Sequence, residues 1–437
     1  MDEGSSRSGN NLRAAFIAVT TLFFAWGFIT AMIDPLIPSV RAIFNLSYTQ
    51  SMLTQFAFFM SYGIVSLPGA ALVARAGYGR SILIALVAMI VGCLVIPVAT
   101  SVQRYELVLV ALFIIGSGIT VLQLAANPLA AVLGPQERSH FRLTFSQAFN
   151  SLGTVIAPYL GSMLMLHGGV FEKAGGAADA AANRDVSLRS IDTSFLWIAA
   201  MITLLAVFIW RFSGRLSRAA PPPAPAHDSV LHALQSRWAL LGAAAIFLYV
   251  GAEVSIGSTL INFLHQPDVL DVTFERGGQL TSLYWLGAMV GRFAGSALLT
   301  RVRATLLLAL AAAIAAALCL CVSQEAGWVA AGCAISVGLF NSIMFPTIFT
   351  LSLERSSASA AATSGLLCMA IIGGAILPQI AGRIADAAGL HAAYFLPMAA
   401  YIAISLFAIM AAKARVAGVG QAAGNAAGSA AGRHAAH

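Results

Sequence analysis

Long apolar runs separated by short polar segments make up most of the chain. Runs of helical length, bounded by charged residues, Pro, Gly or Asn, lie at 14–40, 50–74, 80–100, 105–133, 141–167 and 192–212, and again at 237–264, 277–300, 304–323, 326–353, 359–385 and 391–413. Because one bilayer crossing needs about 20 mostly apolar residues, each run is long enough for one crossing. The pattern predicts an all-α membrane protein with twelve transmembrane helices.

The twelve runs fall into two sets of six. Residues 213–236 between the sets are polar and contain three consecutive prolines, which do not continue a helix. The predicted organisation is a cytoplasmic tail at 1–13, a six-helix bundle at 14–212, a cytoplasmic linker at 213–236, a second six-helix bundle at 237–415 and a disordered tail at 416–437.

The two sets also repeat a local pattern. Gly153 precedes Pro158 by five positions, and the same spacing recurs 220 positions later at Gly373 and Pro378. Both pairs fall in equivalent spans, the fifth and the eleventh. The repeat indicates a duplicated six-helix unit, an architecture in which the site lies between the two halves.

Composition and charge narrow the class of protein. Hydrophobic residues make up 59% of the chain and charged residues only 9%, against about 25% charged in an ordinary soluble domain. The net charge of +7 is spread in ones and twos between the apolar runs, which argues against a nucleic-acid partner. Lys and Arg are more numerous on the side that carries the N-terminus, so the positive-inside rule predicts that both termini are cytoplasmic.

Two acidic residues lie well inside apolar helix, Asp34 in the first span and Glu253 in the seventh. A charge in hydrocarbon costs a few kcal/mol, which makes such residues functional candidates. Asp34 is followed by Pro35 and Pro38, which remove backbone donors and are expected to bend the helix beside a cavity. We predict that Asp34 carries a coupling cation. The alternative is a structural acid near the outer interface.

Glu253 lies in a span that also carries Ser255, Ser258 and Asn262. Three roles remain open for its carboxylate: a second cation site, an acceptor for a ligand, or a structural ion pair with Arg292.

Side-chain amides cluster in the first half. Gln123 and Asn127 are spaced i and i+4, and Gln147 and Asn150 are spaced i and i+3, so each pair shares a helix face. Because an amide both donates and accepts hydrogen bonds, the cluster matches the hydroxyls of a sugar. Contacts between helices are the alternative role of these amides.

Aromatic rings are the second kind of candidate sugar contact. The first span carries Trp26, Phe24 and Phe28, and the eighth carries Tyr284 and Trp285. These rings offer apolar faces for a pyranose, with core packing as the alternative.

No set of residues predicts an enzyme. The eight His lie in loops or termini, and there is no Gly-rich phosphate loop, paired metal motif or nucleophile elbow. We therefore expect no cofactor and no bound metal, and energy from an ion gradient.

Several segments carry a resemblance to a known family. They are WGFITAMIDPLIP (26–38), LQLAANPLAAVLGP (122–135), FRLTFSQAFNSLGTVIAP (141–158), YVGAEVSIGS (249–258) and IIGGAILPQIAGRIADAAG (371–389). Across both halves the chain resembles the fucose:proton symporter family of the major facilitator superfamily. The resemblance implies a bacterial inner-membrane sugar symporter that works by alternating access. It also implies that Asp34 is the proton carrier and that Trp26, Gln147 and Asn150 contact the sugar.

One departure from the family pattern concerns Gln123. The family's fucose symporter has a second carboxylate, a Glu, at the matching position, and Gln cannot titrate. The chain is similar here to the family's glucose and galactose members, which have Gln at this position and a Glu in the YVGAEV block. The two-carboxylate scheme therefore does not transfer, and fucose becomes a less favoured substrate.

The sequence as a whole predicts a monomeric importer of a neutral monosaccharide, a hexose such as glucose, galactose or fucose, coupled to H⁺. Coupling to Na⁺ near Asp34 is the alternative, since carboxylate and amide oxygens at a broken helix also coordinate Na⁺. Two other classes are an exporter of amphipathic drugs, against which the amide cluster argues, and a membrane sensor without transport, for which the short tails offer no partner surface.

Overall fold

The computed structural model describes residues 2–132, 139–172, 177–219, 233–299, 301–358 and 360–414, and all regular secondary structure within them is helical. The helices of the first half are α1 (Asp2–Ala31), α2 (Ile33–Phe44), α3 (Tyr48–Ser51), α4 (Leu53–Ser101), α5 (Tyr105–Val132), α6 (Ser139–Met165) and α7 (Ala177–Ala219), with a 3₁₀ turn at Gly169–Phe171.

The second half has the same kind of architecture. Its helices are α8 (Arg237–Leu264), α9 (Phe274–Leu299), α10 (Ala304–Gln324), α11 (Gly327–Asn341), α12 (Met344–Arg355), α13 (Ala360–Met369), α14 (Gly373–Ala388), α15 (Leu390–Ala393) and α16 (Phe395–Lys413), with a 3₁₀ turn at Ala370–Ile372.

Helices account for all the predicted spans. In the described part of the chain, nine segments are long and apolar enough to cross a bilayer. One of them, Tyr48–Ser101, contains the second and third predicted spans, and α6 and α9 provide the fifth and eighth. The predicted fold class is confirmed, and the spans are numbered below as the sequence predicted them.

Two backbone irregularities fall where the sequence indicated them. Gly77 has φ 78° and ψ 167° inside α4 and separates the second span from the third; the missing side chain permits this conformation. The first span breaks at Met32, between α1 and α2. Pro35 and Pro38 follow at once, and they have no N–H to bond to the carbonyls four residues earlier. The helix is therefore interrupted two residues before Asp34, at the place where the sequence predicted a bend.

Segment ends differ from the prediction most clearly in the first and sixth spans. Helix α1 begins at Asp2, so the first span's helix continues through the predicted tail at 1–13. Helix α7 reaches Ala219, seven residues into the predicted linker, because Arg, Leu and Ala there favour a helix and the first strong helix breaker is the proline run that follows. Helix α8 begins at Arg237 as expected. Residues 220–232 and 415–437, which hold most of the predicted linker and the C-terminal tail, lie outside the described residues.

The predicted duplication has a structural counterpart. A methyl group placed on Gly153 would lie 2.4 Å from the carbonyl oxygen of Phe24, and one on Gly373 would lie 2.0 Å from that of Phe247. The fifth span therefore crosses the first at a glycine, and the eleventh crosses the seventh at the equivalent glycine. Both crossings bring two backbones into direct contact.

Candidate substrate and cation site

Asp34 lies between the two halves of the molecule. Its side chain is only 4% exposed, and its Oδ2 accepts a hydrogen bond of 3.0 Å from the indole Nε1 of Trp285 in the eighth span. The seventh span also reaches it, since a methyl group placed on Gly257 would lie 3.7 Å from the same oxygen. The carboxylate of the first half is thus enclosed by two spans of the second half.

Glu253 belongs to the same part of the molecule. It precedes Gly257 by four residues and so shares its helix face, and its half-buried carboxylate accepts a hydrogen bond of 2.8 Å from the Tyr249 hydroxyl. Glu253 interacts electrostatically with both Asp34 and Arg292. Arg292 also donates a hydrogen bond to the Ser151 hydroxyl across the two halves.

Three ionisable side chains from both halves are therefore linked, since Glu253 lies within electrostatic range of both Asp34 and Arg292. Among the described residues, no three or more His, Cys, Asp or Glu side chains come together in the way a metal ion requires.

The four amides of the first half have different surroundings. Gln123 is half-buried and its Nε2 donates to the Tyr62 hydroxyl at 2.6 Å. Asn127 and Gln147 are also half-buried, and Asn127 Oδ1 has no hydrogen-bond partner in the described part of the chain. Asn150 is buried, and its Nδ2 donates to the backbone carbonyl of Phe23 at 3.1 Å. Its amide contributes to the packing of the fifth span on the first.

Two of the candidate rings, Trp26 and Tyr284, are buried. Trp26 is 7% exposed and packs on Phe23 with the ring centroids 4.4 Å apart. Tyr284 lies inside the second bundle, where its hydroxyl accepts a hydrogen bond of 2.7 Å from Asn341 and points to the Glu253 carbonyl at 3.4 Å. The surroundings of Tyr284 therefore match core packing, which was the alternative to a sugar contact for this ring. Its neighbour Trp285 is the ring that faces the first half.

The hydrogen bond of Tyr284 has an equivalent in the first half. Asn341 donates to Tyr284, and Gln123, 218 positions earlier, donates to Tyr62, 222 positions before Tyr284. Each half therefore contains one amide–tyrosine hydrogen bond between equivalent spans. In the second half both side chains are fully buried, whereas Gln123 in the first half is partly accessible.

Two further contacts between the halves involve polar residues that the sequence analysis did not place in the site. Gln55 of the second span donates to the Ser258 hydroxyl at 2.8 Å, and Arg41 donates to Asn262 Oδ1 at 3.3 Å. Ser258 and Asn262 are spaced i and i+4 on the seventh span, and this spacing predicts a common polar face. Nothing in the sequence paired that face with Gln55.

One end of the bundle is closed by contacts between the halves. The Asp386 carboxylate accepts hydrogen bonds from the backbone N–H groups of Tyr48 and Thr49 at 2.7 and 2.8 Å, and from the Thr49 hydroxyl at 2.6 Å. His167 and Glu275 meet at 2.6 Å. This hydrogen bond and the Glu275 charge raise the pKa of His167, so its imidazole stays protonated to a higher pH. We call this end, which the predicted orientation makes the outer one, the closed end.

Comparison with known proteins identifies the family. The family model described as Major Facilitator Superfamily matches residues 15–378. The chain belongs to the Major Facilitator Superfamily. This superfamily membership and the helical fold make the chain a multi-pass membrane protein, and the relatives reported next are named as sugar transporters of that kind.

Named relatives match nearly the whole chain. A glucose/galactose transporter of Brucella abortus is 42% identical over 93% of this chain and 96% of its own length. The L-fucose-proton symporter of Escherichia coli is 33% identical over 93% of this chain and 94% of its own. The crystal structure of FucP, a Major Facilitator Superfamily transporter in the outward conformation, superposes with a TM-score of 0.66 at 30% identity, covering 91% of this chain and 98% of that one. The resemblance to the fucose:proton symporter family is confirmed.

Proposed function

We propose that this transporter imports a neutral hexose together with a proton, by alternating access to a single site between its two halves. The observation that carries the proposal is the position of Asp34, a buried carboxylate at a helix break, enclosed by spans of the opposite half. The names of the relatives support a sugar as the substrate, and the name of the fucose relative supports a proton as the coupling ion.

In this proposal the proton binds directly to the Asp34 carboxylate and leaves from it. The Asp34 carboxylate accepts a proton from water on one side of the membrane, and an O–H bond forms. When the site faces the other side, that bond breaks and the proton passes to water there. Burial favours the neutral form of a carboxyl group and hydration favours the ionised form, so a change of access is sufficient to load and unload Asp34.

The accessible polar groups at the interface supply the sugar contacts in this proposal. Gln123, Asn127 and Gln147 are half-buried amides of the first half, and Glu253 is a half-buried acceptor of the second. Together they offer donors and acceptors from both halves, which suits the hydroxyls of a neutral sugar. Trp26 is the candidate ring face beside them.

Sodium coupling is the second candidate, because Asp34 and Glu253 bring two carboxylates to one region. Under either form of coupling, we place the protein in the bacterial inner membrane as a monomer, with both termini cytoplasmic, as the distribution of Lys and Arg predicts.

The decisive variant is Asp34→Asn, which keeps the size and removes the titratable group. In proteoliposomes, we expect it to abolish uphill accumulation of labelled glucose or galactose driven by a pH gradient. Counterflow exchange between preloaded vesicles should persist, because exchange needs no net proton movement. Full accumulation by this variant would refute the carrier role of Asp34.

Two controls complete the experiment. A Na⁺ gradient imposed at equal pH on both sides should drive no accumulation; accumulation under that gradient alone would establish the sodium alternative. Glu253→Gln tests whether the second carboxylate shares the coupling role, by the same pair of assays.

A further inference from the structure

We propose that Trp285 links the ionisation of Asp34 to the closing of the transporter, as a positioning residue that acts through its indole N–H. This inference rests on the proposed function, since it requires Asp34 to exchange a proton during transport. The bond that carries it is the 3.0 Å hydrogen bond from Trp285 Nε1 to Asp34 Oδ2.

The chemistry of this bond is directional. An indole N–H is a donor and has no acceptor capacity, and hydrogen bonds to an ionised acceptor are stronger than bonds between neutral groups. Trp285 therefore stabilises the ionised carboxylate of Asp34 more than the protonated one. A residue that accepted hydrogen bonds at this position would have the opposite preference.

The indole is held in place by the second bundle. Its ring packs edge-on against Tyr284, with centroids 5.1 Å apart and planes at 84°, and Tyr284 is in turn hydrogen-bonded to Asn341. Gly257 leaves room for the pair, because a methyl group there would lie 3.2 Å from Trp285 Cζ2 as well as 3.7 Å from Asp34 Oδ2. Trp285 is thus a fixed part of the second half.

Asp34 belongs to the first half and Trp285 to the second, so their hydrogen bond depends on how the two halves are placed. In alternating access the halves move relative to each other, and in this proposal the bond between Trp285 and Asp34 is formed in one state and broken in the other. In the state described here, the closed end is shut and the bond is formed. When that end opens, Asp34 loses its donor and the preference for the ionised form weakens.

The order of events follows from this difference. With the closed end open, Asp34 takes a proton from water there and an O–H bond forms. Closing brings the Trp285 N–H to the carboxylate, which offsets part of the preference of the buried group for its neutral form. When water on the opposite side hydrates Asp34, the O–H bond breaks and the proton passes to that water. The indole keeps its own proton throughout. Trp285 thereby adds a difference in proton affinity between the two states to the one that burial and hydration of Asp34 already supply.

The test is Trp285→Phe, which keeps an aromatic ring and removes the N–H. We expect the pH-driven accumulation ratio to fall by at least about fivefold, the lower end of typical coupling effects, while counterflow exchange of the same labelled sugar falls much less. The double variant with Asp34→Asn should transport no worse than Asp34→Asn alone, because the indole then has no ionisable partner. Trp197→Phe is the matched control, since Trp197 is 70% exposed on the sixth span, and should match the wild type.

Each other outcome overturns the inference. Normal accumulation by Trp285→Phe, with Asp34→Asn inactive in accumulation, would remove Trp285 from coupling and leave the proposed function standing. Equal loss of accumulation and counterflow would make Trp285 a sugar contact or a packing residue instead. Normal accumulation by Asp34→Asn would refute the proposed function itself, whatever Trp285→Phe does.

Discussion

Two amides one turn apart on the fifth span differ in accessibility and in hydrogen bonding, and so in the role each can have. Gln147 is half-buried, whereas Asn150 is 8% exposed and donates to the Phe23 carbonyl. The sequence presented them as a matched pair on one face, and the resemblance implied that both contact sugar. In the structure only Gln147 has the accessibility of a ligand contact without a second role in packing.

These surroundings predict different effects of substitution. We expect Gln147→Ala to weaken sugar binding without changing the melting temperature. Asn150→Ala should lower the melting temperature, because losing a buried hydrogen bond costs about 1–3 kcal/mol. It should also weaken sugar binding indirectly, because the bond to the Phe23 carbonyl holds the fifth span against the first. Titration calorimetry and thermal unfolding of the purified protein measure the two effects. Unchanged affinity in both variants would remove this amide pair from the site, and a large loss of stability in Gln147→Ala would contradict the assigned surroundings.

At the scale of helices, the two glycine crossings explain how bulky apolar spans pack closely. Gly153 places the fifth span against the backbone of the first, and Gly373 places the eleventh against the seventh. The sequence marked both positions by their equal spacing from a proline, and the structure supplies their physical reason. A side chain at either one would meet backbone atoms, which move only if a whole helix moves.

Gly373→Ala is therefore expected to be strongly destabilising, with a lower melting temperature and a smaller yield of monodisperse protein in size-exclusion chromatography. The matched control is Gly332→Ala in α11, where an added methyl group meets no atom within 4 Å. That variant should be at least as stable as the wild type, because Ala is a better helix former by roughly 0.5–1 kcal/mol. Equal stability of the two variants would show that the crossing tolerates a side chain.

In the molecule as a whole, the contacts at the closed end add to the other hydrogen bonds that join the two bundles. Asp386 of the second half accepts hydrogen bonds from Tyr48 and Thr49 of the first, and His167 meets Glu275 beside them. A transporter must break such contacts when that end opens, so their strength sets the balance between its states.

Asp386→Ala should shift that balance toward opening of the closed end. Spin labels at Ser101→Cys and Gln324→Cys, both exposed and on different halves, report the separation after the native cysteines are replaced. We expect the distance distribution to gain a longer component. Asp268→Ala is the control, because Asp268 pairs with His391 within the same half, and an equal change in both variants would argue against a specific role for Asp386.

The amino-acid sequence alone was enough to predict the helical spans, the interruption of the first span beside Asp34 and the two carboxylates inside apolar helix. These features are local, since they depend on apolar length, on proline and on the cost of a charge in hydrocarbon.

The contacts between polar groups of different spans could be read from the tertiary structure but not from the sequence. Tyr284 and Trp285 are neighbours in sequence, but successive residues on a helix point about 100° apart. One therefore enters the second bundle and the other reaches Asp34. Likewise, the pairing of Gln55 with Ser258 joins residues 203 positions apart. Such contacts depend on how two bundles are placed against each other, and helical periodicity within a single span carries no information about that placement.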